Sequence, residues 1–379
     1  MKIVADQNIP FVEECFSSIG NVVLAGGREI TPELVRDADV LLVRSVTKVG
    51  AELLKGSSIK FAATATIGMD HIDRGYLQRS GIGFSSAPGS NANSVAEYIV
   101  AALLAVGKKH DILLEGKSIG IVGVGNVGSR VAEKAAALGM EVILNDPPLE
   151  RQSGDDKYRP LEEISGCDFV TMHTPLTFEG EDKTFHLADG KFFDSMKPSG
   201  FFINTSRGAV HDTEALKAAL NTGAIAGAVL DVWENEPEID NELLLKVDLS
   251  TPHIAGYSFD GKVAGMIMIY EAVCGHFGLE VKHTAEDFLP EPEVPEIDID
   301  PAAADEQTII HDTVQKIYVI NRDDFNTRDI LIVKPQGKGK WFDDLRKNYC
   351  VRREFQNTRV VIEGKAEKLA EKLAGIGFK

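Results

Sequence analysis

Three polar side chains, Arg207, Glu236 and His253, each follow a short apolar run that the sequence pattern predicts to be a β-strand. Strand ends of this kind line the ligand crevice of an open α/β sheet. A histidine can accept a hydroxyl proton near neutral pH, and a carboxylate beside it favours the imidazolium that results. An arginine can bind a substrate carboxylate with its planar guanidinium group. These residue types suit hydride and proton transfer at C2 of a small 2-hydroxy acid.

A glycine-rich loop predicts where a dinucleotide binds. Gly123, Gly125 and Gly128 have the spacing G-x-G-x-x-G, between a strand-like run and a helical pattern over Ser129 to Leu138. The first glycine permits a tight turn, the second lets the backbone approach a pyrophosphate, and the third allows close packing of helix and strand. The phosphates would then lie at the helix N-terminus.

An acidic residue after the next predicted strand indicates that the dinucleotide is NAD. Asp146 follows Gly128 by 18 residues (146 − 128), where a carboxylate can accept hydrogen bonds from the ribose hydroxyls. It would also repel the 2′-phosphate of NADP. Two alternatives stay open: Asp146 could be a solvated carboxylate at a strand end, and Arg151 could admit some NADP.

Two alternations of apolar runs and helical stretches must position these residues. Their spacing leaves room for crossover helices, so we predict two parallel α/β domains joined by a long helix from Ser90 to His110. The predicted strands of the first are Ile3–Ala5, Val22–Ala25, Val40–Val43, Phe61–Ala65 and Ile82–Ser85. Those of the second are Ser118–Gly123, Glu141–Asn145, Phe169–His173, Phe201–Asn204, Gly227–Asp231 and a run near Leu249.

The stretch from Glu286 to Pro301 is predicted to be a linker, because it holds seven acidic residues, four prolines and no lysine or arginine. Beyond it, helical patterns over Thr308 to Ile320 and Ala366 to Leu373, with a strand-like run over Arg359 to Glu363, predict a small α+β module. We call residues 302–379 the C-terminal module. Its apolar residues exceed what roughly 75 residues can bury alone, so we expect it to form a homodimer contact rather than to take part in catalysis.

The composition excludes several classes of partner. The formal net charge of −18 opposes binding to nucleic acids and to anionic membranes. The four cysteines are widely scattered, which is typical of reduced thiols and gives no indication of a metal site. No apolar run reaches the length of a membrane span, and the first residues lack the pattern of a signal peptide. We therefore expect a soluble, cytoplasmic protein.

The segments that carry these residues resemble the signature blocks of the D-isomer-specific 2-hydroxy acid dehydrogenases. The resemblance covers residues 1 to about 280 and rests on Gly-Val-Gly-Asn-Val-Gly, Asn-Thr-Ser-Arg-Gly-Ala, Asp-Val-Trp-Glu-Asn-Glu-Pro and Thr-Pro-His-Ile-Ala-Gly, in the family's order. It implies that Arg207 binds and polarises the substrate, that Glu236 pairs with His253, and that His253 donates or accepts the proton. The implied cofactor contacts are Gly123, Gly125, Asn126, Val127, Gly128, Asp146, Thr174, Thr205, Ser206, Arg207, Asp231 and Gly256.

The resemblance also implies a division into domains. Residues 1–92 and 257–285 would form a discontinuous, flavodoxin-like substrate-binding (lid) domain, and residues 93–256 a Rossmann-type NAD domain. Residues 286–301 would be the linker, and residues 302–379 a dimerisation domain. The active site is then expected in the cleft between the first two domains.

Within this family, the chain resembles the erythronate-4-phosphate dehydrogenases through Arg44-Ser-Val-Thr-Lys, Ala65-Thr-Ile-Gly-Met-Asp-His-Ile-Asp and the tyrosine after Ala-Gly. This implies oxidation of 4-phospho-D-erythronate to 2-oxo-3-hydroxy-4-phosphobutanoate, on the route to pyridoxal 5′-phosphate. It implies substrate contacts from Ser45, Thr66 and Tyr257. Arg44 follows a predicted strand and could bind the substrate phosphate, with a structural ion pair as the alternative.

Two other functions remain open from the sequence. A 3-phosphoglycerate dehydrogenase, or another D-2-hydroxy acid dehydrogenase, would use the same chemistry on another substrate. An NADH-sensing corepressor of the same fold would bind NADH but turn over phosphorylated acids poorly. Turnover therefore distinguishes the last class from the enzymes.

Overall fold

The computed structural model describes all 379 residues, which divide into two compact units. The first unit consists of residues 1–91 and 258–291, and the second of residues 92–257 and 292–379. The elements up to the first break are β1 Lys2–Asp6, α1 Val12–Phe16, β2 Asn21–Ala25, α2 Pro32–Val35, β3 Val40–Val43, α3 Ala51–Leu54, β4 Phe61–Thr64, α4 Arg74–Arg79 and β5 Gly83–Ser85. The remaining elements are α5 Ala92–His110, β6 Ser118–Val122, α6 Asn126–Ala137, β7 Glu141–Asn145, α7 Pro147–Ser153, α8 Leu161–Ser165, β8 Phe169–Met172, α9 Gly190–Ser195, β9 Phe201–Asn204, α10 Thr213–Thr222, β10 Gly227–Leu230, α11 Asn241–Lys246, β11 Leu249–Ser250, α12 Phe259–Phe277, β12 Glu296–Ile299, α13 Glu306–Ile317, α14 Ile320–Arg328, α15 Lys338–Lys347, β13 Arg359–Ile362 and α16 Glu367–Ile376.

The first unit is built on a five-stranded parallel sheet with the order β2-β1-β3-β4-β5. Strands β3 and β4 are buried on both faces, which explains why their sequences are continuous apolar runs rather than alternating ones. Helix α12 returns to this unit and buries Val263, Met266 and Tyr270 in its core. This strand order is that of the doubly wound, flavodoxin-like folds.

The second unit contains a six-stranded parallel sheet with the order β11-β10-β9-β8-β6-β7. Strand β6 lies between β7 and β8, so the chain reverses its direction of progress across the sheet at β6. Ligands of open α/β sheets bind beyond the strand ends at such a switch point. The Rossmann-type domain expected from the sequence is confirmed, and its switch point lies at the glycine-rich loop.

The predicted linker is partly wrong, because Glu296–Ile299 forms strand β12 and pairs in parallel with β13. Ile297 and Ile299 are buried, while Glu296 and Asp298 are exposed. The composition of this stretch disfavoured structure, but its alternation of acidic and apolar residues has the period of two of a half-buried strand. A two-residue break also divides the predicted helix over Thr308 to Ile320 into α13 and α14.

The C-terminal module packs within the second unit instead of standing apart. Ile310, Val314 and Leu373 of α13 and α16 belong to the same buried cluster as the residues of α5. Ile320 and Ile330, two apolar residues of this module, are buried inside this unit and so do not belong to a surplus of exposed apolar surface. None of the helices combines the length and the apolar character needed to cross a membrane.

Candidate active site

The glycine-rich loop has the geometry that a bound pyrophosphate requires. Gly123 has a left-handed backbone with φ +88°, and a Cβ there would lie 2.8 Å from the carbonyl oxygen of His173. A Cβ on Gly128 would lie 2.0 Å from the carbonyl oxygen of Gly123, so only glycine lets α6 start this close to β6. Around Gly125, by contrast, a Cβ would meet nothing within 4 Å. The loop therefore leaves open space at the N-terminus of α6, where N–H groups favour an anion.

Asp146 lies beside this loop. Its Oδ2 accepts a hydrogen bond from the N–H of Val124 at 2.8 Å, and its Oδ1 accepts one from the N–H of Leu149, where it caps α7. The carboxylate thus has a fixed orientation and retains lone pairs for ribose hydroxyls. Arg151 pairs with Asp182 on the surface.

The loop after β8 offers a polar atom without a partner. Thr174 Oγ1 is buried and makes no hydrogen bond within the protein, a cost that a bound ligand would remove. Next to it, Thr205 Oγ1 lies 3.4 Å from Nδ1 of His173, and burial lowers the pKa of His173 to about 3. His173 is therefore neutral and supports the predicted cofactor loop. The unpaired Thr174 Oγ1 and the open space beside Gly125 fit a bound dinucleotide. The contacts of Asn126, Val127 and Gly256 with the dinucleotide stay predictions.

The turn that carries Arg207 is held by Asn204. The side-chain oxygen of Asn204 accepts hydrogen bonds from the N–H and Oγ of Ser206, and its amide donates to the carbonyl of Arg207 at 2.9 Å. The next residue is Gly208, where a Cβ would lie 2.0 Å from the carbonyl carbon and oxygen of Trp233. The Arg207 segment therefore packs directly on the backbone of the segment that carries Glu236.

Glu236 is bound at both carboxylate oxygens. Oε1 accepts from the N–H of Trp233 at 2.8 Å, and Oε2 lies 2.7 Å from Nδ1 of His253. Burial opposes ionisation, but the charge and hydrogen bond of His253, with smaller contributions from Trp233 and Arg346, hold the pKa of Glu236 below its ordinary value. Because an ionised carboxylate only accepts, Nδ1 of His253 donates. Nε2 is then the nitrogen that can take up a proton from the substrate.

The backbone that carries His253 is fixed by Asp231. The carbonyl of Asp231 accepts from the N–H of His253 at 2.7 Å, and its carboxylate accepts from the N–H groups of Ile254 and Ala255 and from Thr251 Oγ1. His253 itself has φ +58°, a left-handed conformation that costs a non-glycine residue about 1–3 kcal/mol. Asp231 is almost fully buried, and these hydrogen bonds organise the segment; its contact with the cofactor stays a prediction.

The predicted substrate residues are distributed over both units. In the first unit, Arg44 and Ser45 follow β3, and Thr66 Oγ1 lies 2.7 Å from Thr64 Oγ1. Arg44 is partly buried and donates to the carbonyl of Asn8 at 3.3 Å, without the ion pair that the structural alternative requires. Tyr257 belongs to the second unit.

Comparison with known proteins decides the family. The family model for the D-isomer specific 2-hydroxyacid dehydrogenase NAD binding domain matches residues 105–255, and a model described as a domain of unknown function matches residues 288–377. An erythronate-4-phosphate dehydrogenase from Marinobacter nauticus is 43% identical over 100% of this chain and 99% of its own. One from Salinibacter ruber is 45% identical over 95% of this chain and 94% of its own. The chain belongs to the erythronate-4-phosphate dehydrogenases.

Solved structures agree with this family at the level of the dehydrogenase fold. An NAD+-bound 3-phosphoglycerate dehydrogenase from Entamoeba histolytica is 27% identical, with a TM-score of 0.63 over 76% of this chain and 99% of its own. A protein from Thermus thermophilus is 26% identical, with a TM-score of 0.65 over 75% of this chain and 99% of its own. The full-length similarity to erythronate-4-phosphate dehydrogenases is considerably higher than either. The NAD cofactor predicted from the sequence is confirmed at the level of the domain family.

Sequence reasoning missed two arginines of the C-terminal module that lie at this site. The guanidinium carbon of Arg346 is 6.0 Å from the ring centre of Tyr257, and Arg352 Nη2 donates to the carbonyl oxygen of Ala255 at 2.9 Å. The separation of 97 residues between Ala255 and Arg352 leaves no local pattern that could have revealed the contact.

Proposed function

We propose that this protein oxidises 4-phospho-D-erythronate with NAD to 2-oxo-3-hydroxy-4-phosphobutanoate, in pyridoxal 5′-phosphate biosynthesis. The observation that carries the chemistry is the pairing of Glu236 with Nδ1 of His253, which directs Nε2 away as the proton acceptor. The similarity over the full chain to erythronate-4-phosphate dehydrogenases supports the choice of substrate.

The proposed proton transfer needs three residues of the chain. His253 Nε2 accepts the proton of the C2 hydroxyl as the C2–O bond becomes a carbonyl. Glu236 stabilises the imidazolium that forms, and Arg207 binds the substrate carboxylate and polarises the C2 oxygen. NAD, when bound, accepts the hydride from C2. In the reverse direction, the imidazolium returns the proton to the C2 oxygen.

The residues proposed to hold NAD surround the N-terminus of α6. The N–H groups near Gly125 would face the pyrophosphate, Asp146 the adenosine ribose, and Thr174 with Thr205 the part of the cofactor near β8 and β9. The open space at Gly125 and the unpaired Thr174 Oγ1 support this assignment.

For the substrate, we propose contacts from Ser45, Thr66 and Tyr257, with Arg44 binding the phosphate. A phosphate bound at Arg44 would gain charge-assisted hydrogen bonds that a neutral end group cannot make. Arg44→Ala should therefore raise KM for 4-phosphoerythronate much more than KM for erythronate. Arg74→Ala, which changes an exposed arginine of the same unit on α4, is the control. Equal changes of KM on both substrates would show that Arg44 does not bind the phosphate.

The whole proposal is tested with the purified full-length protein, NAD and a panel of D-2-hydroxy acids with and without phosphate. We expect the highest kcat/KM with 4-phospho-D-erythronate. A higher value with 3-phosphoglycerate would assign the other dehydrogenase activity. Tight NADH binding with no turnover of any acid would favour a sensor.

We further propose that the protein is a homodimer formed through the C-terminal module and is located in the cytoplasm. Phe325 and Ile332 of this module are 66% and 85% exposed, which supports an apolar contact between two copies. All four cysteines are free, and Cys350 is exposed, as suits a reducing compartment. Cell fractionation would test the location.

A further inference from the structure

The C-terminal module reaches the backbone beside His253 through one buried cation. Arg352 lies in the loop after α15, and its Nη2 donates to the carbonyl oxygen of Ala255 at 2.9 Å. Its guanidinium carbon is 4.2 Å from the centre of the Tyr318 ring, a cation–π contact that offsets part of the cost of burial. Arg352 is only 4% exposed.

Ala255 is thereby fixed at both of its backbone polar groups by charged side chains distant in sequence. Its N–H donates to the carboxylate of Asp231, and its carbonyl accepts from Arg352. His253, two residues before it, keeps a left-handed backbone that persists only where the surroundings enforce it. The direction of the His253 ring depends on this backbone.

The loop that presents Arg352 is itself anchored to α5. Glu354 accepts hydrogen bonds from the side chains of Asn93 and Ser94, and the N–H of Phe355 donates to Glu97. Burial, with the neighbouring charge of Glu354, raises the pKa of Glu97 well above its ordinary value. The position of Arg352 is thus set by the core of the second unit.

Packing alone does not explain an arginine at this place. Nε and Nη1 of Arg352 are buried without a hydrogen-bond partner, and burying such unpaired donors is destabilising. A protein with an apolar residue of similar volume at this position would often be no less stable than the protein with the buried charge. The contact with the Ala255 carbonyl is the feature that an apolar residue could not reproduce.

We propose that Arg352 is a positioning residue for His253, so that the C-terminal module is required for proton transfer. Arg346 supports this role from a second side, since it lies against Tyr257 and contributes charge near Glu236. The inference rests on the proposed dehydrogenase function, and it concerns the same proton-transfer pair.

The test compares Arg352→Gln with Arg353→Gln in the full-length protein. Arg353 is the adjacent arginine, is also buried, and donates to Asn357 within the module. The measurements are Tm, the Kd for NADH, kcat and KM with the acid that the unmodified protein turns over fastest, and the solvent deuterium isotope effect on kcat.

We expect Arg352→Gln to lower kcat roughly tenfold to a hundredfold, because small misplacements of a catalytic group have effects of this size. KM and the Kd for NADH should change less than about threefold, and the solvent isotope effect should rise as proton transfer becomes slower. Arg352→Lys, which keeps a charged donor, should recover part of kcat. Arg353→Gln should leave kcat within about twofold.

The proposal is overturned if Arg352→Gln retains kcat, or if its loss of kcat is matched by Arg353→Gln at an equal fall in Tm. Should Arg352→Gln fail to fold, the decision passes to Arg352→Met, which keeps much of the volume but has no donor for the Ala255 carbonyl: an unchanged solvent isotope effect and kcat there would also overturn it. Failure of the substrate proposal is distinguishable, because it appears in the unmodified protein as a preference for another acid.

Discussion

Two histidine–glutamate pairs in the second unit have the same separation and nearly the same exposure. His253 and Glu236 are 2.7 Å apart with side chains 32% and 20% exposed, and His186 and Glu234 are 2.7 Å apart with 30% and 19%. Distance and exposure therefore do not identify the catalytic pair. The paired ring nitrogen and the surroundings differ. His253 pairs through Nδ1 and its segment is held by Asp231 and Arg352, whereas His186 pairs through Nε2 and its partner Glu234 is bound to the N–H of Thr213 at the start of α10.

This near-duplication provides a matched control for catalysis. His253→Ala should lower kcat by about 10²–10⁴, because the proton acceptor is lost, while the Kd for NADH stays the same since the glycine-rich loop is untouched. His186→Ala should keep kcat near that of the unmodified protein. Stopped-flow turnover and NADH fluorescence titration measure the two quantities, and equal losses in both variants would contradict the assignment of His253.

The glutamates give the corresponding test of pH dependence. The pKa of Glu236 lies below its ordinary value, so Glu236 is charged at neutral pH and favours the imidazolium of His253. Glu236→Gln removes the negative charge that favours the imidazolium over the neutral ring, so the acidic limb of kcat/KM for hydroxy acid oxidation should move to lower pH. Reduction of the 2-oxo acid, which needs the imidazolium, should slow at neutral pH. If Glu234→Gln shifted the pH profile by the same amount, the shift could not be attributed to the Glu236–His253 pair.

At the scale of elements, the sequence predicted most strands of both sheets to within one or two residues, because buried parallel strands are compact apolar runs between polar segments. It also predicted the Glu236–His253 pairing, through the resemblance. The sequence reasoning failed for β12. It weighed the acidic composition of this stretch and overlooked the alternation of acidic and apolar residues, which is typical of a half-buried strand. It could not predict the Ala255–Arg352 contact, which depends on how α15 and the loop after it pack on the second unit.

Asp146 belongs to this scale because it joins three elements: the end of β7, the cap of α7 and the glycine-rich loop. Asp146→Asn should raise the ratio of kcat/KM for NADP to that for NAD, since the repulsion of the 2′-phosphate falls. The amide has one accepting oxygen in place of two, so either the cap or the bond to Val124 is also lost, at about 1–3 kcal/mol. Steady-state kinetics with both cofactors and thermal unfolding measure these effects. An unchanged cofactor ratio would mean that Asp146 is only structural.

For the whole molecule, the C-terminal module is part of the second unit's core, so deleting it should destabilise that unit. Residues such as Val314 and Leu373 pack in the same cluster as α5, so removal of residues 302–379 would expose this cluster to solvent. A deletion of residues 302–379 would therefore change the stability of the unit as well as any dimer contact, and it cannot test the contact alone. Substitution of exposed apolar residues can.

Ile332→Glu should weaken the proposed dimer at least about tenfold in Kd, which corresponds to ~1.4 kcal/mol, because a charge would enter an apolar contact. Tm at a concentration where both proteins are monomeric should change little, since Ile332 is exposed. Leu245→Glu, at a 66% exposed leucine outside the module, is the control. Sedimentation equilibrium measures the Kd, and equal values for all three proteins would place the contact elsewhere.

The three consecutive N–H groups of His253, Ile254 and Ala255 all donate to one residue, Asp231. An amide hydrogen bonded in this way exchanges with solvent only when the bond opens, so a single local opening should release all three. Deuterium uptake across these residues should follow one slow, shared rate. In Asp231→Asn, which keeps the backbone carbonyl but has one accepting side-chain oxygen, either Ile254 or Ala255 should exchange much faster, and His253 less so. The timescale on which the proposed proton acceptor loses its orientation can thus be read from amides that take no part in the reaction.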